Sequence, residues 1–171
     1  LYEHMAFKGT RTIGTKDYAR ERPLLDELDR LNAEIETRRA AGADVSELQR
    51  LRQAFKDTQD RAGQLVVGNE MALLYQRHGA VGLNASTGKD VTRYVISLPA
   101  NRLPLWAALE SDRMAHPVLR EFYKERAVVM EERRLRTDDS PNGLLYEAFA
   151  AAAFQAHPYG APTIGWASDI Q

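Results

Sequence analysis

From Thr15 to about Val66 the chain crowds charges of both signs together, yet its apolar residues recur at helical spacing. Leu24, Leu28, Leu31 and Ile35 follow steps of four and three, as do Leu48, Leu51 and Phe55, so each set lines one stripe of a helix. A narrow stripe on a charged rod must be buried, and the second stripe is the natural partner for the first. Between them lies Ala40-Ala41-Gly42-Ala43-Asp44, where Gly42 suits a helix stop and Asp44, with Glu47 three residues later, suits a cap for the next start. The segment therefore reads as an antiparallel helical hairpin packed mainly on itself. Asp26 with Arg30 and Glu34 with Arg38 are expected to pair at i,i+4 on its solvent faces.

The rest of the chain changes period. A short helix is predicted from Asn69 as cap to His78, with Gly79 as stop. Val81 to Ser86 and Val91 to Leu98 are rich in β-branched residues and flank the turn-forming Thr87-Gly88-Lys89-Asp90, which predicts a β-hairpin. Asn101 and Pro104 open a helix through Met114, Phe122 to Arg136 continues as a long charged helix, and Ser140-Pro141 starts another that ends in a loop at His157-Pro158-Tyr159-Gly160. The class is α+β with a small antiparallel sheet.

Charge and composition narrow the function. With 23 Lys plus Arg against 24 Asp plus Glu, no broad field draws in nucleic acid or an anionic membrane. No apolar run approaches the ~20 residues of a membrane span. There is no cysteine, so His, Asp and Glu are the side chains left to ligate a zinc ion.

Two places could carry chemistry. Glu3 and His4 are adjacent at the start, a pair that on its own suits a solvated helix face equally well. Glu125 and Glu132 are seven residues apart and share one helix face, which among so many arginines is also the pattern of salt-bridged surface groups. Together they gain force. Zinc hydrolysis needs nitrogen and carboxylate ligands, an open water position and an unligated carboxylate to take the water's proton. His78, His116 and His157 lack partners at ligand spacing and read as structural, and Arg133 and Arg134 read as solvated or paired with nearby acids.

Glu-His-Met-Ala-Phe-Lys-Gly-Thr at 3–10 resembles the segment that closes the inverted zinc motif, His-x-x-Glu-His, of the insulinase/pitrilysin metallopeptidases. The motif's first His would fall immediately before Leu1. Glu125 to Arg134 is similar to the family's third-ligand helix, and Gly82-Leu83-Asn84-Ala85-Ser86-Thr87 to its substrate-binding edge strand. His157-Pro158-Tyr159-Gly160 and Ile164-Gly165-Trp166 complete four blocks in the family's order. His4 and Glu132 stand further apart than is usual there, by about the length of the charged hairpin, so the hairpin at about 13–66 reads as a peripheral insertion into one catalytic domain covering 1–171.

The resemblance implies a mitochondrial-processing-peptidase-like domain, an antiparallel sheet packed by helices. It implies zinc as cofactor with His4 and Glu132 as ligands, Glu3 as general base and Glu125 as a supporting carboxylate. Asn84, Ala85 and Ser86 would hold the peptide; Asn84 alone could equally be a turn-adjacent residue bonding its own backbone. It further implies unfolded peptides as substrates, a second homologous domain or subunit closing a chamber, and a periplasmic or otherwise exported bacterial location. A non-catalytic peptide-binding or assembly subunit of the same fold is the alternative. A coiled-coil interaction protein would account for residues 15–66 but leave the Glu-His and Glu125/Glu132 blocks unexplained.

Overall fold

The computed structural model describes residues 1–170. It is a mostly helical α+β fold, and the one sheet among the described residues has two strands. In chain order the elements are α1 (Tyr2–Met5), α2 (Tyr18–Ala40), α3 (Val45–Gly63), α4 (Glu70–Arg77), β1 (Val81–Thr87), β2 (Thr92–Ser97), α5 (Leu103–Ala115), α6 (Phe122–Arg133), α7 (Pro141–Ala153) and α8 (Ala167–Ile170).

Capping chemistry sets the helical hairpin. Asp17 accepts from Arg20 N at 3.1 Å to start α2, and Asp44 accepts from Glu47 N at 2.9 Å to start α3. Gly42 takes φ +74° in the turn between them. Leu28, Leu31 and Ile35 of α2 are buried, with Thr58 and Ala62 of α3, so the stripes meet in one seam. The surface pairing differs in one place from expectation. Asp26 pairs with Arg22, while Arg30 reaches Glu34 at 3.4 Å and Glu27 at 4.0 Å, because a long exposed side chain chooses freely among acids within a turn. The two ends of the hairpin are tied together: Lys16 N donates to Leu65 O and Val67 N to Gly14 O.

The strands pair antiparallel, Asn84 with Val95 and Thr87 with Thr92, and a bulge separates these from Val81 with Ser97. Gly82 sits in that bulge with φ +68°, a conformation that favours a residue without Cβ. Leu83 and Ile96 turn inward onto a core of Ile13, Met71, Tyr75, Ala80 and Leu109. The long charged helix stops earlier than the sequence suggests: α6 ends at Arg133 and Arg134–Asp138 form a π turn.

One buried side chain joins these parts. Arg120, 1% exposed, lies two residues before α6 and uses all five of its N–H donors. Nε and Nη2 donate to the carboxylate of Glu21, itself fully buried in the first turn of α2, at 2.6 and 2.8 Å. Nη1 donates to Lys8 O at 2.6 Å and Ile13 O at 3.2 Å, and Nη2 to Thr10 O at 2.9 Å. The loop that follows α1 is therefore wrapped around the guanidinium. A side chain at Gly9 would stand 2.2 Å from Ile13 O, and one at Gly14 would stand 2.6 Å from Lys8 O. The hairpin is thus not peripheral throughout, since its first turn supplies the counter-charge.

Removing Glu21 alone leaves a buried guanidinium uncompensated, whereas removing Arg120 leaves a buried carboxylate and takes a charged donor from three carbonyls, of which Ile13 O keeps the Thr10 amide at 2.8 Å. Urea unfolding is expected to show Glu21→Leu costing about 3–5 kcal/mol and Arg120→Met costing more. Equal losses would show that the three carbonyl bonds add nothing.

Candidate metal centre

α1 is a single turn, held by buried Met5 and by the loop bound to Arg120, and it directs His4 toward α6. Glu125 and Glu132 sit two turns apart on the facing side of that helix. Glu125 Oε2 lies 3.0 Å from His4 Nδ1, and Glu132 Oε2 lies 3.7 Å from His4 Nε2. The two sequence-predicted carboxylates therefore address the two nitrogens of one imidazole.

The surroundings of the two carboxylates differ. Glu125 Oε1 is 2.6 Å from Lys8 Nζ, so both of its oxygens are occupied. Burial pushes the Glu125 carboxyl up, but the bonds from Lys8 and His4 outweigh this and hold it below the usual carboxylate range. Burial likewise pulls the Lys8 ammonium down, and Glu125 and Glu121 more than offset it. An ionised Glu125 can only accept, so Nδ1 of His4 carries the hydrogen, and in the neutral imidazole Nε2 presents its lone pair toward Glu132. The 3.7 Å gap is too long for a hydrogen bond. It is close to the ~3.4 Å separating two ligand atoms on one tetrahedral zinc with bonds of about 2.1 Å. His4 Nε2 and Glu132 Oε2 thus fit as two of a zinc ion's ligands, and Glu125 fits as the outer carboxylate that orients the imidazole. No group of three or more such donors is gathered among the described residues.

Glu132 Oε1 is held at 2.6 Å by Arg136, an exposed side chain on the π turn. Glu3 forms no ion pair among the described residues, and its carboxylate accepts from Thr87 Oγ1 at the end of β1. Glu3, His4 and Glu132 open onto a cleft of about 690 Å³ that Asn84, Ala85 and Ser86 also line. Asn84 Oδ1 accepts from Ala85 N at 2.9 Å, so in this state the side chain is folded onto its own backbone. The opposite wall is fixed by the 158–165 segment. Lys89 donates to the carbonyls of Tyr159 and Ala161, Tyr159 OH donates to Asp90, and buried Arg133 donates to Glu147 and to Gly165 O.

The other histidines are bound locally and away from the cleft. His78 Nδ1 bonds Leu74 O, His116 Nδ1 bonds Asp112, and His157 Nδ1 accepts from Tyr159 N. Lys8, Thr87 and Arg136 were missed as site residues. Lys8 and Thr87 had a signal, since they lie in the blocks at 3–10 and 82–87, but Arg136 reaches Glu132 from a π turn. A second cavity of about 460 Å³ lies at the foot of the helical hairpin against Leu25, Leu28, Val118 and Phe122 and contains no comparable donor pair.

No family model matches the chain. It is 42% identical over 120 residues to the zinc protease PqqE of Helicobacter pylori, across 68% of this chain and 26% of that protein. It is 38% identical over 99 residues to an uncharacterized zinc protease of Mycobacterium tuberculosis, across 56% and 22%. The crystal structure of a protease from Helicobacter pylori superposes with a TM-score of 0.57 at 43% identity, covering 60% of this chain and 25% of that one. The chain spans about a quarter of the length of the curated relatives it matches.

If Glu125 fixes the imidazole, Glu125→Ala is expected to release the Nδ1–H tautomer of His4. ¹⁵N chemical shifts of the ring would then move toward a tautomer mixture. Unchanged shifts would show that something else orients the ring.

Proposed function

We propose, for a chain that is a partial homologue of zinc proteases of the insulinase/pitrilysin family, that His4 and Glu132 contribute to the metal centre of an endopeptidase acting on unfolded peptides. The observation that carries this reading is the imidazole of His4 held at Nδ1 by Glu125 and turned with Nε2 toward Glu132. By the inverted motif, a further nitrogen ligand would be the residue immediately before Leu1. A mitochondrial-processing-peptidase-like domain, a second homologous half that closes over the cleft, and an exported location belong to the same reading.

Bound zinc supplies Lewis-acid activation of a water and of a peptide carbonyl. The chain's own residues do the rest. Glu3 has the one carboxylate at the cleft that is engaged neither by a cation nor by His4, and Thr87 Oγ1 orients it. It accepts the proton as water attacks the carbonyl carbon and returns that proton to the departing amine nitrogen. The edge of β1 offers backbone groups to an extended peptide, and Asn84 would swing from its own backbone to the peptide's carbonyl. Glu125 is excluded from proton transfer by its two partners and serves to orient His4.

The test uses a protein extended through the upstream ligand and to the length of the relatives. Metal analysis is expected to find about one zinc per chain. Glu3→Gln should keep that zinc and lose hydrolysis of an unfolded peptide by roughly 10²-fold or more, because an amide cannot accept the proton. Glu132→Gln should lose zinc. Glu131→Gln should keep it, since Glu131 points elsewhere and is held by Arg134 at 2.6 Å. Retained turnover in Glu3→Gln would reassign the base, and absence of zinc from the loaded protein would favour a non-catalytic assembly subunit.

A further inference from the structure

The helical hairpin grips the helix that carries Glu125 and Glu132. Tyr123, in the first turn of α6, donates its hydroxyl to Asp29 of α2 at 2.8 Å. Its ring packs edge-on against Phe55 of α3 at 5.0 Å, and Arg126 stacks over it at 5.2 Å. Three residues earlier, Arg120 is bound by Glu21 of α2. Both helices of the hairpin are thus anchored at the N-terminal end of α6.

The helical repeat makes this contact directional. At about 100° per residue, Glu125 lies about 200° round the helix from Tyr123, and Glu132, nine residues on, lies about 180° round. The hairpin therefore holds one side of α6 and His4 meets the other. Arg120 also binds the carbonyls of Lys8, Thr10 and Ile13 in the loop that follows His4. Both elements that carry the candidate ligands are thereby referenced to one guanidinium, and the one that carries Glu125 and Glu132 is backed by the pair of helices.

We infer that the hairpin is a splint for the metal centre, and that Tyr123 and Arg120 are positioning residues that set the distance and register of Glu125 and Glu132 against His4. The inference rests on the zinc reading above, and its mechanical part can be read without metal. In the extended protein, Tyr123→Ala removes both the hydroxyl and the ring, Tyr123→Phe removes the hydroxyl alone, and Arg39→Ala near the hairpin tip is the control.

Two readouts are compared in variants of unchanged circular dichroism: ¹⁵N shifts of the His4 ring without metal, and zinc affinity by chelator competition. Tyr123→Ala is expected to shift the His4 nitrogens and to weaken zinc binding about 10-fold, the lower end of what loss of an outer-shell support costs. Tyr123→Phe should lie between Tyr123→Ala and wild type, and Arg39→Ala should match wild type. Should Tyr123→Ala fail to fold, Tyr123→Phe against the Arg39→Ala control decides. Unmoved His4 shifts in the folded Tyr123 variants overturn the splint whether or not zinc binds. Shifted nitrogens with unchanged zinc affinity overturn the positioning role. If wild type takes no zinc while the His4 shifts still move in the Tyr123 variants, the metal reading is overturned and the mechanical part of the splint stands.

Discussion

The guanidinium of Arg120 is the point on which the rest of the molecule depends. A buried arginine is stable only when its charge is balanced and every N–H is bonded, and here Glu21 and three loop carbonyls meet that demand. The three carbonyls belong to one loop, Glu21 to the first turn of α2, and Arg120 itself to the approach to α6. The demand of one side chain therefore brings together the loop after His4, the first turn of the helical hairpin and the entrance to α6. Thr10 adds a second tie, since its hydroxyl donates to Asp112 at 2.6 Å while accepting from the backbone of Thr12 and Ile13. That interaction holds the Asp112 carboxyl below its usual range and links the same loop to α5.

The candidate centre inherits its order from this arrangement. A one-turn helix such as α1 has no stability of its own, so the direction of His4 is set by the loop that follows and by Glu125. The carboxylates are kept apart in role by their cations. Lys8 takes the second oxygen of Glu125, Arg136 takes one oxygen of Glu132, and Glu3 has no cation among the described residues. Under the proposed zinc reading, Glu125 would orient the imidazole, Glu132 would ligate and Glu3 would accept a proton. That division of roles follows from which side chains reach which oxygens.

Much of the fold was legible in the sequence because it is encoded locally. The Leu stripes, the Asp44/Glu47 cap, the turn at Thr87 to Asp90 and the i,i+7 spacing of Glu125 and Glu132 involve residues within a few turns of each other. Glu21 was not legible: it is one of many acids in a charged segment, and its burial depends on an arginine about a hundred positions away. For the same reason the sequence shows a hairpin packed mainly on itself and not the tie from its first turn to Arg120. The Asp26–Arg30 pairing failed because i,i+4 spacing permits an ion pair without selecting it. The helix expected to run through Arg136 instead breaks into a π turn at Arg134, and Gly143 packs against that turn: a Cβ there would lie 2.3 Å from Arg136 O. Asn84, a peptide clamp by resemblance and a locally bonded turn residue by its own chemistry, accepts from the amide of Ala85.

On the zinc reading, His4 and Glu132 face each other to share one metal ion. Anomalous diffraction at the zinc absorption edge, from crystals of the extended protein, tests it without recourse to activity. A single peak is expected within bonding distance, about 2.1 Å, of both His4 Nε2 and a Glu132 carboxylate oxygen, with Glu125 still on His4 Nδ1. A zinc peak elsewhere, or one bound without either residue, would contradict the account.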